Sequence, residues 1–265
     1  MSPVIAISDL TKDHISHMLR KRTRIIDGMT LTVEKNQTYG LLGLNGAGKT
    51  TTLRLLLGFL KPTSGEIKVL DTKPGDKRAL KRMGFLPENP YFYNYLTAAE
   101  FLDFVGQIFG MTKKERSDRS KELLEVVVMK DAADKPVRKF SKGMMQRLGI
   151  AQSLMNDPDL VFWDEPMSGL DPVGRRDIRQ ILFGLKERGK TIFFNSHLLP
   201  DVNEVCDRVG VLHKGKLVAE NTIQAISGGG SYQKLEDYFL EAVGAEDAKI
   251  NVKKLSLDKE SGDKE

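Results

Sequence analysis

The stretch GLNGAGKT, residues 43–50, decides how this chain folds. It matches the pattern Gly-x-x-x-x-Gly-Lys-Thr, in which a glycine-rich turn between a strand and a helix cradles phosphate. The apolar segment TYGLL (38–42) precedes the turn and TTTLRLLLGFL (50–60) follows it, so we predict a strand, this loop and a helix within residues 45–60. A chance glycine-rich turn is the alternative, but strand, loop and helix all agree with a phosphate-binding loop.

The loop would offer phosphate both backbone and side-chain groups. A helix N-terminus presents unpaired N–H groups with a partial positive charge, which suits the negative charges of a nucleotide triphosphate. Lys49 would reach the β- and γ-phosphates, and Thr50 would offer its hydroxyl to Mg²⁺. The predicted ATP-binding residues of this loop are Gly43, Leu44, Asn45, Gly46, Ala47, Gly48, Lys49, Thr50 and Thr51.

Apolar segments rich in β-formers recur along the chain, and helical patterns follow several of them. The predicted strands lie at 4–10, 29–34, 38–44, 65–71, 159–165, 191–196 and 208–218, and further helices at 172–188 and 198–206. Fully apolar strands followed by helices indicate a mainly parallel sheet covered on both faces, which is an α/β fold.

The region 97–156 offers helices and no clear strand, and Thr112 with Glu115 predicts a capping box at the start of one of them. We interpret this region as a helical lobe, from about 89 to 156, inserted in an α/β domain of residues 1–225. A helical extension (226–245) and a flexible polar tail (246–265) are expected to follow.

A second acidic site is predicted where the apolar strand DLVFWDE (159–165) ends in two adjacent carboxylates. Such a pair is costly to bury unless it meets a metal or a reacting group. Asp164 suits Mg²⁺, and Glu165 would orient the attacking water. His197 follows the next strand, and the carboxyl ends of parallel strands form a shared crevice, so it could hold that water in line. The alternatives are solvated acids and a surface histidine.

Composition excludes several other classes of protein. An apolar fraction of 40% supplies a core, one cysteine (Cys206) rules out an intramolecular disulfide framework, and no apolar run approaches the roughly 18 residues of a membrane span. The N-terminal residues turn polar too early for a secretory signal. The net charge is +5, and no nucleic-acid fold signature accompanies the basic run RKRTR (20–24). We therefore interpret the run as a solvated turn and expect no nucleic-acid partner.

The order of these motifs resembles the ATP-binding cassette (ABC) family over about residues 4–240. GLNGAGKT resembles its Walker A motif, LVFWDE its Walker B motif, SGLD (168–171) its D-loop, and His197 its switch histidine. FSKGM (140–144) stands where the family carries its signature. The resemblance implies a P-loop NTPase (RecA-like) core with an antiparallel β subdomain, Mg²⁺-dependent ATP hydrolysis, and catalytic roles for Glu165, His197 and Lys49.

Family resemblance also implies partners. Two copies would pack head to tail, with Ser141, Gly143 and Asp171 of one copy contributing to the other's ATP site, and the glycine would allow close backbone approach. The sequence of these segments most resembles cassettes of bacterial multicomponent exporters, whose membrane-spanning permease is a separate chain. We therefore expect this chain on the cytoplasmic face of a membrane. A non-transport ATPase acting as a soluble assembly scaffold is the alternative.

The sequence departs from the family pattern in three places. Lys142 and Met144 replace a glycine and the glutamine of the signature. Glu88 replaces a glutamine and could still bind Mg²⁺ through water. His14 replaces the aromatic residue that stacks on adenine. The resemblance further suggests that residues 91–93 (Tyr-Phe-Tyr) line a groove for a helix of the permease, with a place in the lobe core as the alternative.

Overall fold

The computed structural model describes residues 2–15, 22–228 and 230–244 and consists of two β-sheets and nine α-helices within those residues. The strands are β1 (Ile5–Ile15), β2 (Arg22–Val33), β3 (Thr38–Leu42), β4 (Ser64–Val69), β5 (Met83–Leu86), β6 (Leu160–Asp164), β7 (Thr191–Ser196), β8 (Arg208–His213) and β9 (Lys216–Thr222). The helices are α1 (Lys49–Leu56), α2 (Lys77–Leu80), α3 (Ala98–Ile108), α4 (Lys113–Val126), α5 (Lys142–Ser153), α6 (Pro172–Glu187), α7 (Leu199–Val205), α8 (Ile223–Ser227) and α9 (Gln233–Val243).

The central sheet has six strands in the order β5-β6-β7-β3-β8-β9. Neighbouring strands from β5 to β8 are parallel, and only the edge strand β9 runs antiparallel, to β8. Every residue of β3, β6 and β7 is buried, as strands covered on both faces should be. Because these three strands are adjacent, the segments that follow their carboxyl ends meet at one edge of the sheet.

Two hydrophobic clusters cover the two faces of this sheet. One joins β6 and β7 to helices α3 to α7, and its largest side chain, Trp163, also donates a hydrogen bond from Nε1 to Ser153 Oγ at 3.0 Å. The other joins α1 and the second sheet to Tyr39, Phe162 and Phe193. Each fully buried large apolar side chain contributes about 1.5–3 kcal/mol, so both faces hold the strand ends firmly in place.

The second sheet is antiparallel, in the order β2-β1-β4. The predicted turn at 20–24 is wrong for residues 22–24, which begin β2; residues 20 and 21 lie outside the described part of the chain. Arg22 and Arg24 both bind the carboxylate of Asp13, whose side chain is 3% exposed. Burial alone would raise the pKa of Asp13, but these two hydrogen-bonded guanidinium groups outweigh it and hold that pKa below its usual range. For residues 22–24, a turn was therefore the wrong interpretation.

Helices α3, α4 and α5 follow β5, with two short 3₁₀ turns before α5. The capping box at Thr112 and Glu115 is confirmed, and Thr97 with Glu100 forms a second one at α3. Phe92 is 3% exposed and packs edge-on to Phe101, with ring centroids 4.9 Å apart. It therefore belongs to the core of the helical region and does not line a groove.

The α/β class, the mainly parallel sheet and the separate antiparallel sheet are confirmed. Strand β5 was missed by the sequence analysis, which placed no strand between 71 and 159. Within the predicted C-terminal extension the structure has helix α9, which packs on the core through Leu235 and also buries Val243. The predicted tail, 246–265, lies outside the described residues. In the described part of the chain, no helix is both long and apolar enough to cross a membrane.

Candidate functional site

The glycine-rich loop connects β3 to the first turn of α1. Gly46 and Gly48 have φ angles of +82° and +113°, which favour glycine over any other residue. A Cβ on Gly48 would lie 2.7 Å from Ile26 Cδ1 and 3.1 Å from the carbonyl oxygen of Ile25, so strand β2 packs directly against the loop. The loop is thus held between β2 and α1 with the N-terminus of α1 at its end.

A cavity of about 530 Å³ opens in front of this loop. Ten of its lining residues are among those predicted from the sequence: Leu44, Asn45, Gly46, Gly48, Lys49, Thr50, Thr51, Glu88, Glu165 and His197. Ile25 and Ser168 also line it. Ile25 was missed, because only the folded chain brings β2 to the loop. Ser168 begins the predicted D-loop, but it was not predicted to line this cavity. Residues from five separate parts of the sequence therefore converge on one cavity.

Lys49 is 7% exposed and lies across the mouth of the loop. Its Nζ donates a hydrogen bond to the carbonyl oxygen of Gly43 at 2.7 Å and lies 3.6 Å from Glu165 Oε1. A buried ammonium needs such partners. The same arrangement leaves a positive charge directly at a helix N-terminus, which is a favourable place for a phosphate group.

Thr50 and Asp164 bring two oxygen donors together beside Lys49. Thr50 Oγ1 donates to Asp164 Oδ2 at 2.9 Å, and Asn195 Nδ2 donates to Asp164 Oδ1 at 2.8 Å. Asp164 is 3% exposed, so a carboxylate stays buried here with two hydrogen bonds and no cation of the described chain paired to it. Hard oxygen donors such as these suit Mg²⁺, which usually takes one or two protein ligands and completes its shell with phosphate and water. The residues therefore fit that ion.

Glu165 and His197 form the second functional pair. His197 Nδ1 and Glu165 Oε2 are 2.7 Å apart, and the His197 side chain is 48% exposed while that of Glu165 is 9% exposed. Glu165 has φ +53°, an uncommon conformation for a residue with a side chain, and such strain clusters at functional sites. Hydrogen bonds from Glu165 N to Asn195 O and from Ser168 N to Glu165 O hold this conformation.

The remaining predicted site residues do not line this cavity. His14 is exposed on β1 opposite Thr23, and it is not among the residues that line the cavity. Ser141 caps α5, with Oγ accepting from Met144 N at 3.3 Å, and Gly143 lies in the first turn of that helix. Asp171 caps α6, with Oδ1 accepting from Gly174 N at 2.7 Å. Ala47 and Gly43 are buried in the loop itself, where Ala47 N donates to Leu44 O.

Strand β3, the glycine-rich loop and helix α1 form a strand–loop–helix unit, and carboxylates lie at the end of β6, two strands away in the sheet. This arrangement defines a P-loop nucleotide-binding domain. The sequence model of the family described as ABC transporter matches residues 26–168, more than half of the chain. The chain belongs to the ABC transporter family, whose members bind and hydrolyse ATP.

Individual relatives agree with this assignment. An uncharacterized ABC transporter ATP-binding protein of Synechocystis is 46% identical over 79% of this chain. The bacitracin transport ATP-binding protein BcrA of Bacillus licheniformis is 44% identical over 83% of this chain and 70% of its own length. The chain spans 60% of the length of the Synechocystis relative. A solved dimeric ATP-binding cassette in a post-hydrolysis state, bound to ADP and Pi, shares the fold with a TM-score of 0.76 at 25% identity, over 83% of this chain and 98% of that one.

Proposed function

We propose that this chain is the ATP-hydrolysing subunit of an ABC transporter that drives export through a separate membrane-spanning partner. One observation carries the proposal: Lys49, Thr50 and the Glu165–His197 pair line one cavity beside a helix N-terminus, and Asp164 is hydrogen-bonded to Thr50. Lys49 and the two pairs Thr50–Asp164 and Glu165–His197 each have a distinct task in phosphoryl transfer to water, and the three tasks are needed together.

Binding of ATP is assigned to the loop and Lys49. The N–H groups at the start of α1 and the Lys49 ammonium favour the triphosphate, and Thr50 with Asp164 would hold Mg²⁺. Glu88 lines the same cavity and would bind that ion through water. When bound, Mg²⁺ neutralises charge on the phosphate oxygens.

Hydrolysis is assigned to Glu165. Its carboxylate would accept a proton from the attacking water and orient that water toward the γ-phosphate. His197, 2.7 Å away, fixes the carboxylate from the solvent side, and Lys49 approaches the other carboxylate oxygen. The buried backbone bond from Glu165 N to Asn195 O keeps the residue at the strand end where water can approach.

A second copy of the chain would complete each site. Ser141 and Gly143 lie at the N-terminus of α5, outside the cavity of their own chain, so they are available to a nucleotide bound by another copy. Asp171, which caps α6, lies on the connected loop and would contact the same interface. This arrangement supports head-to-tail pairing in which ATP is part of the contact.

The membrane partner would bind an exposed aromatic surface on the helical region. Tyr91, Tyr93 and Tyr95 are 86%, 46% and 74% exposed, and Phe104 packs edge-on to Tyr93. A cluster of exposed aromatic side chains is typical of an interaction site. BcrA is a bacitracin transport protein by name, which supports a transport role and a place at the cytoplasmic face of a membrane.

Purification of the tagged chain from detergent-solubilised membranes, with mass spectrometry of the bound proteins, tests the transport role. We expect a stoichiometric partner with several hydrophobic spans, and Tyr91→Ala should lose that partner while it keeps ATP hydrolysis. Tyr232→Ala, at the start of α9, is the matched control because it is also exposed and should keep the partner. Recovery of soluble partners alone would favour an assembly scaffold instead.

A further inference from the structure

Gln146 is a buried polar side chain of α5 whose partner lies beside the catalytic carboxylate. It is 3% exposed, and its Nε2 donates a hydrogen bond of 2.9 Å to the carbonyl oxygen of Pro166. An apolar side chain would fill this space without the cost of burying an amide. Because Pro166 directly follows Glu165, the hydrogen bond holds the Pro166–Met167 peptide unit, one residue beyond the residue that acts on water.

We infer that Gln146 is a positioning residue for Glu165, and this inference rests on the proposed function. The backbone of Glu165 has φ +53°, and a conformation of that kind persists only where its surroundings hold it. Bonds to Asn195 O and Ser168 N hold it from the sheet side and from within the loop. The hydrogen bond from Gln146 holds the same loop from the helical region.

A second contact ties α5 to the far end of this loop. The Lys142 side chain lies over Gly169, where a Cβ would be 2.8 Å from Lys142 Cε and 3.3 Å from its Cδ. Gly169 has φ +71°, so it adopts a conformation that favours glycine and leaves room for the lysine. One turn apart on the helix, Gln146 and Lys142 therefore contact both the beginning and the end of the segment 166–169.

These contacts give α5 two tasks. Its N-terminus would close over ATP bound by the second copy, and its Gln146 holds Glu165 of its own chain. A displacement of α5 at the second copy's ATP therefore moves the catalytic carboxylate of the chain to which α5 belongs. The two sites of a dimer are linked by a hydrogen bond inside each chain.

Steady-state ATP hydrolysis by Gln146→Met in the full chain tests the inference. Methionine keeps the length and volume but cannot donate, so kcat should fall by about tenfold to a hundredfold, as expected for a displaced catalytic group. The KM for ATP and the ATP affinity by calorimetry should stay unchanged, because the loop and Lys49 are untouched. Gln152→Met is the matched control, since Gln152 is half-buried on the same helix, six residues further on.

The double variant with Glu165→Gln separates positioning from a general structural effect. If Gln146 acts through Glu165, Gln146→Met should cause no further loss of the residual rate in that background. A full additional loss, or a kcat equal to that of the control, would overturn the inference. Should Gln146→Met not fold, Gln146→Asn carries the test, because the shorter amide cannot span the 2.9 Å contact to the Pro166 carbonyl oxygen: kcat should fall at constant KM, and an unchanged kcat would contradict the inference. Inactive wild type and Gln152→Met would instead count against the proposed function.

Discussion

Replacement of Glu165 by glutamine is the perturbation whose outcome the site geometry defines most sharply. The amide keeps the size of the side chain and one oxygen that can accept from His197, at the 2.7 Å position of Oε2. It loses the negative charge 3.6 Å from Lys49 Nζ and the ability to accept a proton from water. Binding and hydrolysis should therefore respond in opposite ways.

The expected magnitude follows from the role assigned to the carboxylate. General-base catalysis contributes about 10²–10⁴ in rate, which corresponds to about 3–5 kcal/mol of transition-state stabilisation. We expect kcat to fall by that factor. ATP affinity should stay the same or rise, because one negative charge no longer faces the incoming phosphates.

Single-turnover release of phosphate and calorimetric ATP binding measure the two effects separately. Glu187→Gln is the matched control, because Glu187 is an exposed glutamate at the last turn of α6, away from the cavity. Hydrolysis by Glu165→Gln at the rate of that control would refute the role of Glu165. A loss of ATP binding that matched the loss of rate would refute the division of tasks between loop and carboxylate.

Three further outcomes are expected. Lys49→Ala should weaken ATP binding measured by calorimetry, since the cavity loses a buried cation; undiminished binding would contradict the loop assignment. In thermal unfolding, Gly184→Ala in α6 should stabilise the protein by about 0.5–1 kcal/mol, because nothing lies within 4 Å of the new methyl group. Gly84→Ala should destabilise it strongly, because its Cβ would collide with the Ser153 carbonyl oxygen. Equal effects of the two substitutions on stability would be evidence against this packing. Burial raises the pKa of the Cys206 thiol. The contribution of this thiol to the free energy of unfolding is therefore full below the pKa of the unfolded thiol, and it declines by up to about 1.4 kcal/mol per pH unit as the pH rises above that value. Urea unfolding of wild type and of Cys206→Ala with the same pH dependence would disprove this expectation.

The loop, the catalytic carboxylate and the main strands could be predicted because each is encoded by neighbouring residues. GLNGAGKT carries its own turn chemistry, and apolar runs that end in Asp164 or Ser196 indicate both a buried strand and its carboxyl end. Adjacent strand ends then bring Glu165 and His197 together, as the parallel sheet requires.

The features that were missed depend on residues far apart in the sequence. Strand β5 has only four residues, too few for a periodic signal, and it is a strand because β6 pairs with it. Arg22 and Arg24 suggested a turn because their shared partner, Asp13, lies on another strand. Ile25 reaches the cavity only where β2 packs on the loop. No local pattern contains this information.

The most direct test of the central claim, that two copies share the ATP sites, is the mass of Glu165→Gln by light scattering with and without Mg²⁺ and ATP. We expect a shift from the 29.7 kDa single chain to twice that mass on addition of ATP, and no shift when Ser141→Arg is added at the N-terminus of α5. The claim would be contradicted if the mass of Glu165→Gln stayed at 29.7 kDa in saturating ATP while the wild type hydrolysed ATP at a rate independent of protein concentration.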